Sequence, residues 1–460
     1  MKYLLLDFGS TYTKLTAVDI SKAKVIGHTD AITTINTDIK DGYHECLKKL
    51  EAKVGKQKYD KIIACSSAAG GLKMAAIGLV ESLTVEAARR VCLGAGAKVD
   101  LVVSGRINKS QMEVITSGKI DIVLLAGGTD GGDRDTVLEN AKRLAQAKVK
   151  VPIIYAGNKE CQDDISEILS EANIKPYTCE NVMPLLNQLN IKNTQEVIRE
   201  IFMGNIIKAK GIGKIEEEID EVIFPTPKAV LEAATLLADG YLDEEGLGDI
   251  ILVDVGGATT DIYSIASGVP SKVSVLQRGL EEPYAKRTVE GDLGMRYSAL
   301  GILEALSLEE RKKYLKDGID IEKEAKKRHD NIEFLPVTDY DFKVEKEMAK
   351  VALDNAISRH VGFLESVYTP FGVMEYQTGK DLTKVKFVIG TGGVLINSKD
   401  TKDILSSITY TLKKPNELRP LKSEFMVDKS YILSAMGLLS IDYPEVALKI
   451  MKEEIVKLWK

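Results

Sequence analysis

Residues 250–263 read Ile250-Ile251-Leu252-Val253-Asp254-Val255-Gly256-Gly257-Ala258-Thr259-Thr260-Asp261-Ile262-Tyr263. Ile250 to Val253 is a short apolar run, the pattern of a strand covered on both faces. Gly256-Gly257 allows a sharp turn and removes side chains, so main-chain N–H groups can approach a phosphate. Thr259 and Thr260 add hydroxyls, and Asp254 brings a carboxylate suited to a metal ion or its water. An ordinary hairpin closed by Gly-Gly satisfies the same pattern. The choice between the two depends on partners elsewhere in the chain.

The N-terminus supplies the first. Tyr3 to Leu6 is an apolar strand run, Asp7 ends it, Gly9-Ser10-Thr11 turns, and Tyr12 to Val18 returns as an alternating strand. Lys14 follows Asp7 by seven residues and adds a cation for phosphate oxygens. A surface hairpin with a solvated lysine is the plain alternative. The second partner is Lys384 to Leu395, KVKFVIGTGGVL, where Gly390, Gly392 and Gly393 leave room for a flat group such as adenine, or for close helix–sheet packing.

At 460 residues the chain exceeds one ordinary core, so two or more domains are expected. Lys plus Arg is 62 against 68 Asp plus Glu, a net charge of −6, without the basic excess of a nucleic-acid binder. No run approaches the length of a membrane span. Asp7 interrupts the N-terminal apolar run too early for a signal peptide. The five cysteines (Cys46, Cys65, Cys92, Cys161, Cys179) lie far apart, and none of the four histidines clusters with them. Reduced thiols in a cytoplasmic protein, without an iron–sulfur or other cysteine-bound metal site, are therefore expected.

The rest of the chain reads as alternating elements. Tyr59 to Cys65 is a strand, and the Ser66–Leu72 stretch with its Gly-Gly is a turn that approaches a ligand or, the favoured reading, crosses to the next strand. Residues 81–98 carry a helical pattern closed by Gly94 and Gly96. Ile122 to Ala126, the loop Gly127-Gly128-Thr129-Asp130-Gly131-Gly132 and a helix through Leu144 form a strand–loop–helix unit. Asp130, Asp133 and Asp135 repel a phosphate there, so the role of the loop stays open. Val151 to Gly157 is the next strand, which makes strand–helix–strand and a parallel sheet. Residues 158–248 read as largely helical, and Gly240, Gly246 and Gly248 mark a junction. Arg287, Glu290, Asp292 and Arg296 lie within reach of a nucleotide or on a solvated loop. Residues 309–330 read as an exposed charged helical insertion, 343–367 as a long amphipathic helix, and 429–441 and 446–460 as closing helices.

The ordered set of three glycine turns resembles the actin-like ATPase superfamily, which includes heat-shock chaperone ATPases, sugar kinases and acetate kinase. Asp7-Phe8-Gly9-Ser10…Lys14 is similar to its first phosphate loop and Asp254 to Asp261 to its second, with Ala258 in place of a glycine. Gly390-Thr391-Gly392-Gly393 resembles its adenosine loop and Ser434-Ala435-Met436-Gly437 its second connecting helix. Within the superfamily, LAGGTDGGDRDTVLENAKRLA, SSAAGGLKMAAIGL and ILVDVGGATTDIYSI resemble the glutamate mutase accessory family MutL, unrelated to the DNA-repair protein of that name.

The resemblance implies duplicated α/β, ribonuclease H-like domains flanking a nucleotide cleft. Residues 1–248 would form one half and 249–460 the other, the C-terminal helix packing back on the first. It implies ATP and Mg²⁺: Asp7 and Asp254 would hold the metal through water, and Lys14 would neutralise phosphate charge. Gly9, Ser10, Thr11, Gly256, Gly257, Thr259 and Thr260 would bind phosphates, and Gly390, Gly392 and Gly393 the adenosine. Its implied activity is ATP-driven reactivation of an adenosylcobalamin-dependent mutase by exchange of damaged cobalamin, with the mutase as partner and neither nucleic acid nor membrane. A small-molecule kinase and an ATP-dependent filament protein are the competing expectations.

Overall fold

The computed structural model describes the chain except residues 10–11, 35–37, 68–71, 207–217, 371 and 459–460. It divides into two units. Met1–Val230 with Gly279–Glu281 and Gly437–Ile441 forms the first, and Leu231–Arg278, Glu282–Met436 and Asp442–Lys460 form the second.

In the first unit β1 (Lys2–Phe8), β2 (Tyr12–Asp19) and β3 (Lys24–Ile32) make an antiparallel meander, and β4 (Lys61–Ser66) joins β1 in parallel. Leu4, Leu5, Leu6 and Phe8 are all buried, so β1 is covered on both faces, as its unbroken apolar run requires. A second sheet follows from β5 (Lys73–Gly78), β6 (Lys98–Ser104), β7 (Ile122–Leu125), β8 (Ile153–Tyr155) and β9 (Pro176–Thr178). All its pairings are parallel, in the order β6-β5-β7-β8-β9, a doubly wound arrangement. β10 (Glu221–Pro225) then returns to the first sheet beside β4, giving β10-β4-β1-β2-β3.

The second unit opens with a short hairpin of β11 (Gly240–Tyr241) and β12 (Glu244–Glu245). Its remaining strands are β13 (Ile250–Val255), β14 (Thr260–Ile265), β15 (Val275–Arg278), β16 (Ala285–Glu290), β17 (Phe363–Thr369), β18 (Gly372–Thr378), β19 (Phe387–Thr391), β20 (Glu424–Asp428) and β21 (Ile455–Lys457). The main sheet runs β16-β14-β13-β19-β20-β21. Three antiparallel strands lie on one side of it, and β19 and β20 continue in parallel on the other. That repeats the pattern of β3-β2-β1-β4-β10. The duplication is the ribonuclease H-like, actin-like fold anticipated from the three glycine turns.

Four expectations change. Residues 158–248 contain β9 and β10 among their helices; each is a short strand with a proline at one end, which weakens a strand pattern in the sequence. The helix expected over 343–367 runs from Asp339 to His360, started by a Thr338–Asp341 capping box. Beyond Gly362, Phe363–Thr369 pairs along its length with β18 and is a strand. The C-terminal helix ends at Glu454 and gives way to β21. The charged stretch 309–330 does form helices, Leu308–Lys316 and Ile321–Asp330, but Arg328 within it is fully buried.

Two histidines make the fold acid-sensitive. Burial, helped by Lys14, lowers His28 to about 4. His360 is fully buried between Ser264 Oγ and Thr288 Oγ1, each 2.8 Å away, and is lowered well below its ordinary value. A depressed histidine leaves the unfolded chain binding more protons, so stability is retained above pH ~6.5 and falls as the pH drops toward 4. Urea unfolding should give a lower midpoint at pH 5 than at pH 7, and His28→Gln should reduce the difference.

Candidate functional site

The first loop is carried by the β1–β2 hairpin. Its register sets Asp7 directly opposite Lys14, which explains the ion pair of 3.2 Å between Lys14 Nζ and Asp7 Oδ2. Asp7 is 3% exposed, so its charge is held in a nearly dry setting. The other carboxylate oxygen accepts a hydrogen bond of 2.7 Å from Thr226 Oγ1. Thr226 begins the helix Thr226–Asp239 after β10, which sheet order brings two strands from β1. Sequence reading missed it. Its signal is a hydroxyl set between two prolines at a strand-to-helix junction, where a side chain is held at the strand ends. Gly9 closes the turn through its N–H to Tyr12 O at 3.1 Å, and Thr33 Oγ1 donates to Gly9 O at 2.9 Å. Ser10 and Thr11 lie outside the described residues.

Beside Asp7, Cys65 is buried, and desolvation with the Asp7 charge pushes its thiol well above the ordinary range. It therefore packs rather than reacts. The same holds for the burial of the other four cysteines.

The second loop joins β13 to β14. The register places Asp254 opposite Asp261, two like charges across one pair. Arg287 resolves this by binding Asp261 Oδ1 at 2.6 Å through Nη2 and at 2.8 Å through Nε. Thr259 Oγ1 donates to Asp261 Oδ2 at 2.9 Å. Thr260 is fully buried and donates to Leu293 O at 2.5 Å. Both threonine hydroxyls of the motif are thus turned onto the protein.

The main chain of this loop is oriented with purpose. Gly256 O accepts from Met295 N at 3.0 Å, Gly257 O from Arg296 N at 2.8 Å and Ala258 O from Ser298 Oγ at 2.8 Å. With three consecutive carbonyls tied from behind, the N–H groups of Gly257, Ala258 and Thr259 have no hydrogen-bond acceptor among the described residues. A row of unsatisfied N–H groups is an anion-binding concavity. Of the polar residues at 287–296, Arg287 serves Asp261, and Glu290 and Asp292 pair with Arg359 at 2.6 and 2.7 Å. None of these three is left to reach a nucleotide as a free side chain.

β19 lies parallel to β13 with Thr391 beside Asp254, so the third glycine turn meets the second loop. Its glycines differ. A Cβ on Gly390 would meet Leu405 and Leu395 at 3.0 and 3.1 Å, so that glycine serves packing. Gly392 has φ +97°, and a Cβ there would stand 2.4 Å from Val255 O and 2.7 Å from Asp254 Oδ1. Gly393 faces open space, with nothing within 4 Å of its Cβ position. Asp428, also missed in the sequence, is fully buried and holds Thr391 Oγ1 at 3.1 Å and the N–H groups of Ile432 and Leu433 at 3.0 and 3.2 Å.

The loop Gly127–Gly132 sits at the carboxyl ends of β7 and β8, stapled by two buried asparagines. Asn158 accepts from Gly131 N at 3.2 Å and donates to Gly132 O at 3.3 Å, while Asn181 donates to Gly128 O at 3.1 Å and Asp130 Oδ1 at 2.9 Å. Its one aspartate, Asp130, is thereby partly satisfied within the chain.

Around Asp7 the donors are carboxylate and hydroxyl oxygens with the Lys14 ammonium, a set whose chemistry suits Mg²⁺ and phosphate. Among the described residues no group of three His, Cys, Asp or Glu is placed to hold a metal. A hydrated Mg²⁺ that takes one or two carboxylates and phosphate oxygens needs no such group.

The model of the family described as MutL protein matches residues 3–455. The chain belongs to the MutL family. A relative named Protein MutL, from Clostridium tetanomorphum, is 52% identical over 458 residues, covering 99% of each chain. Among solved structures, ethanolamine utilization protein EutJ from Carboxydothermus hydrogenoformans is 11% identical, with 97% of this chain and 90% of that one covered and a TM-score of 0.28. A glycerol dehydratase reactivase is 9% identical, with 96% and 99% covered and a TM-score of 0.36. These distant likenesses carry no geometric inference; the actin-like fold of this MutL member rests on its own duplicated strand order. No helix among the described residues is long and apolar enough to cross a membrane.

If Thr226 orients the Asp7 carboxylate, Thr226→Val should keep the fold and lower ATP turnover by about ten- to a hundredfold, the scale of one hydrogen bond to a charged group of ~1.5–3 kcal/mol. Steady-state phosphate release measures it, and Thr226→Ser should restore most of the rate.

Proposed function

We propose that this MutL family member binds and hydrolyses ATP, and uses the cycle to reactivate an adenosylcobalamin-dependent mutase by exchange of damaged cobalamin. The observation that carries the nucleotide part is the second loop, with its carbonyls secured behind and its N–H groups at 257–259 donating no hydrogen bond to the described residues. Those groups would bind phosphate oxygens. Asp7 and Asp254 would orient metal-bound water, and Lys14 would pass from Asp7 toward developing phosphate charge. Bound Mg²⁺ would supply charge neutralisation and a template for the phosphates. Gly393, with open space before it, is the member of the third turn best suited to lie against the nucleoside.

Support for the accessory role is membership of the MutL family and whole-length similarity to its Clostridium tetanomorphum member. The experiment is incubation of an oxygen-inactivated, cobalamin-blocked mutase with the protein, ATP, Mg²⁺ and fresh cofactor. Recovery of mutase activity that requires all of them supports the reading. Phosphate release without recovery removes the client and leaves an ATPase. A phosphorylated sugar or carboxylate formed from ATP would replace the reading with a kinase.

A further inference from the structure

Arg296 touches the second loop with one end and a distant surface connection with the other. Its backbone N–H holds Gly257 O at 2.8 Å. Its side chain turns away, donating from Nε to Phe334 O at 3.0 Å and from Nη1 to Met295 O at 2.7 Å, and pairing with Glu345 at 3.2 Å. Behind it, Gly294 lies so close to the loop that a Cβ would fall 2.4 Å from Ala258 C, so the 294–296 strip cannot shift without moving the loop.

The far end of Arg296 is equally fixed. Glu345, 4% exposed on the helix Asp339–His360, is shared with Arg328 at 2.7 Å. Arg328 is fully buried and binds Glu324 at 2.5 Å. The ring of Phe334 is gripped by three cations: Lys327 at 4.3 Å, Arg328 at 4.8 Å and Arg296 at 5.7 Å from its centroid. Around this anchor the connection between the two helices is exposed and apolar: Ile332, Leu335 and Val337 are 40%, 63% and 82% accessible. An apolar connection that projects outward yet is pinned at one ring has its presentation set by what grips the ring.

We propose that Arg296 is a positioning residue that couples the 256–258 loop to the Phe334 connection, so that the state of one sets the order of the other. The coupling is reciprocal. Fixing the loop with a ligand orders residues 331–338, and releasing Phe334 loosens the loop. The ligand arm rests on the phosphate-loop reading; the coupling itself is tested without nucleotide. The guanidinium fork is required because it serves Phe334 O, Met295 O and Glu345 at once, a geometry that an ammonium cannot reproduce.

The test is hydrogen exchange on the full chain for Arg296→Lys, Phe334→Ala and the double variant, with melting temperature as the check on folding. Without ligand, each single variant should lose protection in the peptide covering 254–261, and the double variant should lose no more than the larger single effect. Additive losses, or an unchanged 254–261 peptide in Phe334→Ala, overturn the coupling. With the non-hydrolysable ATP analogue AMPPNP and Mg²⁺, the unsubstituted chain should gain protection at both 254–261 and 331–338. Arg296→Lys should gain it at 254–261 only; a retained gain at 331–338 overturns the role of Arg296. Failure of the analogue to bind any variant would count against the ATPase reading alone, because the ligand-free cycle still decides the coupling.

Discussion

Asp254→Asn is expected to lower ATP turnover by about a hundredfold or more, the scale of removing one preorganised electrostatic group from a transition state, without lowering the melting temperature. The substitution keeps the shape of the side chain at the end of β13. It removes the charge that would orient metal-bound water. It also relieves the like-charge pair across the hairpin, since Asp261 stands opposite and keeps Arg287 as its own counter-ion. Asp7→Asn should cost a comparable share of the turnover with the opposite effect on stability. Lys14, 12% exposed, would lose its carboxylate partner at 3.2 Å, and removing one partner of a nearly buried ion pair is destabilising. Phosphate release, nucleotide affinity and melting curves on the two variants separate the cases. Unchanged turnover in Asp254→Asn would refute its assignment, whatever the melting curve shows.

The second large effect is expected at Gly392→Ala. The residue holds φ +97°, where an L side chain costs about 1–3 kcal/mol. Its Cβ would also stand 2.4 Å from Val255 O, a backbone atom that can move only by displacing β13. Asp254 would be pushed with it. Both a lower melting temperature and a loss of nucleotide affinity of at least about tenfold follow, since displacing a positioning contact by an ångström has effects of that size or larger. Gly393→Phe is the contrast: the open space before Gly393 accepts a ring without strain, so melting should hold while nucleotide affinity falls. If Gly393→Phe binds nucleotide as the unsubstituted chain does, the third turn is a packing element and the nucleoside lies elsewhere.

How far these features were legible in the sequence follows from the range of the interactions that make them. The three glycine turns and their strands were readable because each is local: an apolar run, a carboxylate and a glycine pair lie within a dozen residues, and the duplicated order followed from resemblance. Thr226 was not readable, because its value comes from β10 crossing to β4, a pairing set by sheet order. The hydroxyls of Thr259 and Thr260 looked like ligand groups in the linear motif, but they turn onto Asp261, itself held by Arg287, and onto Leu293. Arg287 and Leu293 are reached only through folding. Arg328 shows the same limit in the other direction. A charge-dense helix reads as solvated, but two glutamates from separate helices close over one of its arginines. Short strands ended by proline, β9 and β10, were lost among helices because three to five residues are too few to show a period.

The return of β10 to β4 has a consequence for how the chain assembles. β4 is finished at Ser66, but its second neighbour does not begin until Glu221, after the whole doubly wound sheet. A nascent chain therefore carries an open parallel edge, with the apolar Ile62, Ile63 and Ala64, while all of that intervening sequence is made. At synthesis rates of about 5–20 residues per second, the delay is several seconds or more, far longer than local hairpin formation of ~1–10 μs. The entropy of closing so long a loop is small if the intervening sheet folds first and brings its ends together. The expected order of events is meander, inserted sheet, and last the strand that delivers Thr226 to Asp7. Translation arrested just before residue 221 should yield a chain prone to aggregate, and arrest beyond the helix Thr226–Asp239 should yield one whose first sheet is closed.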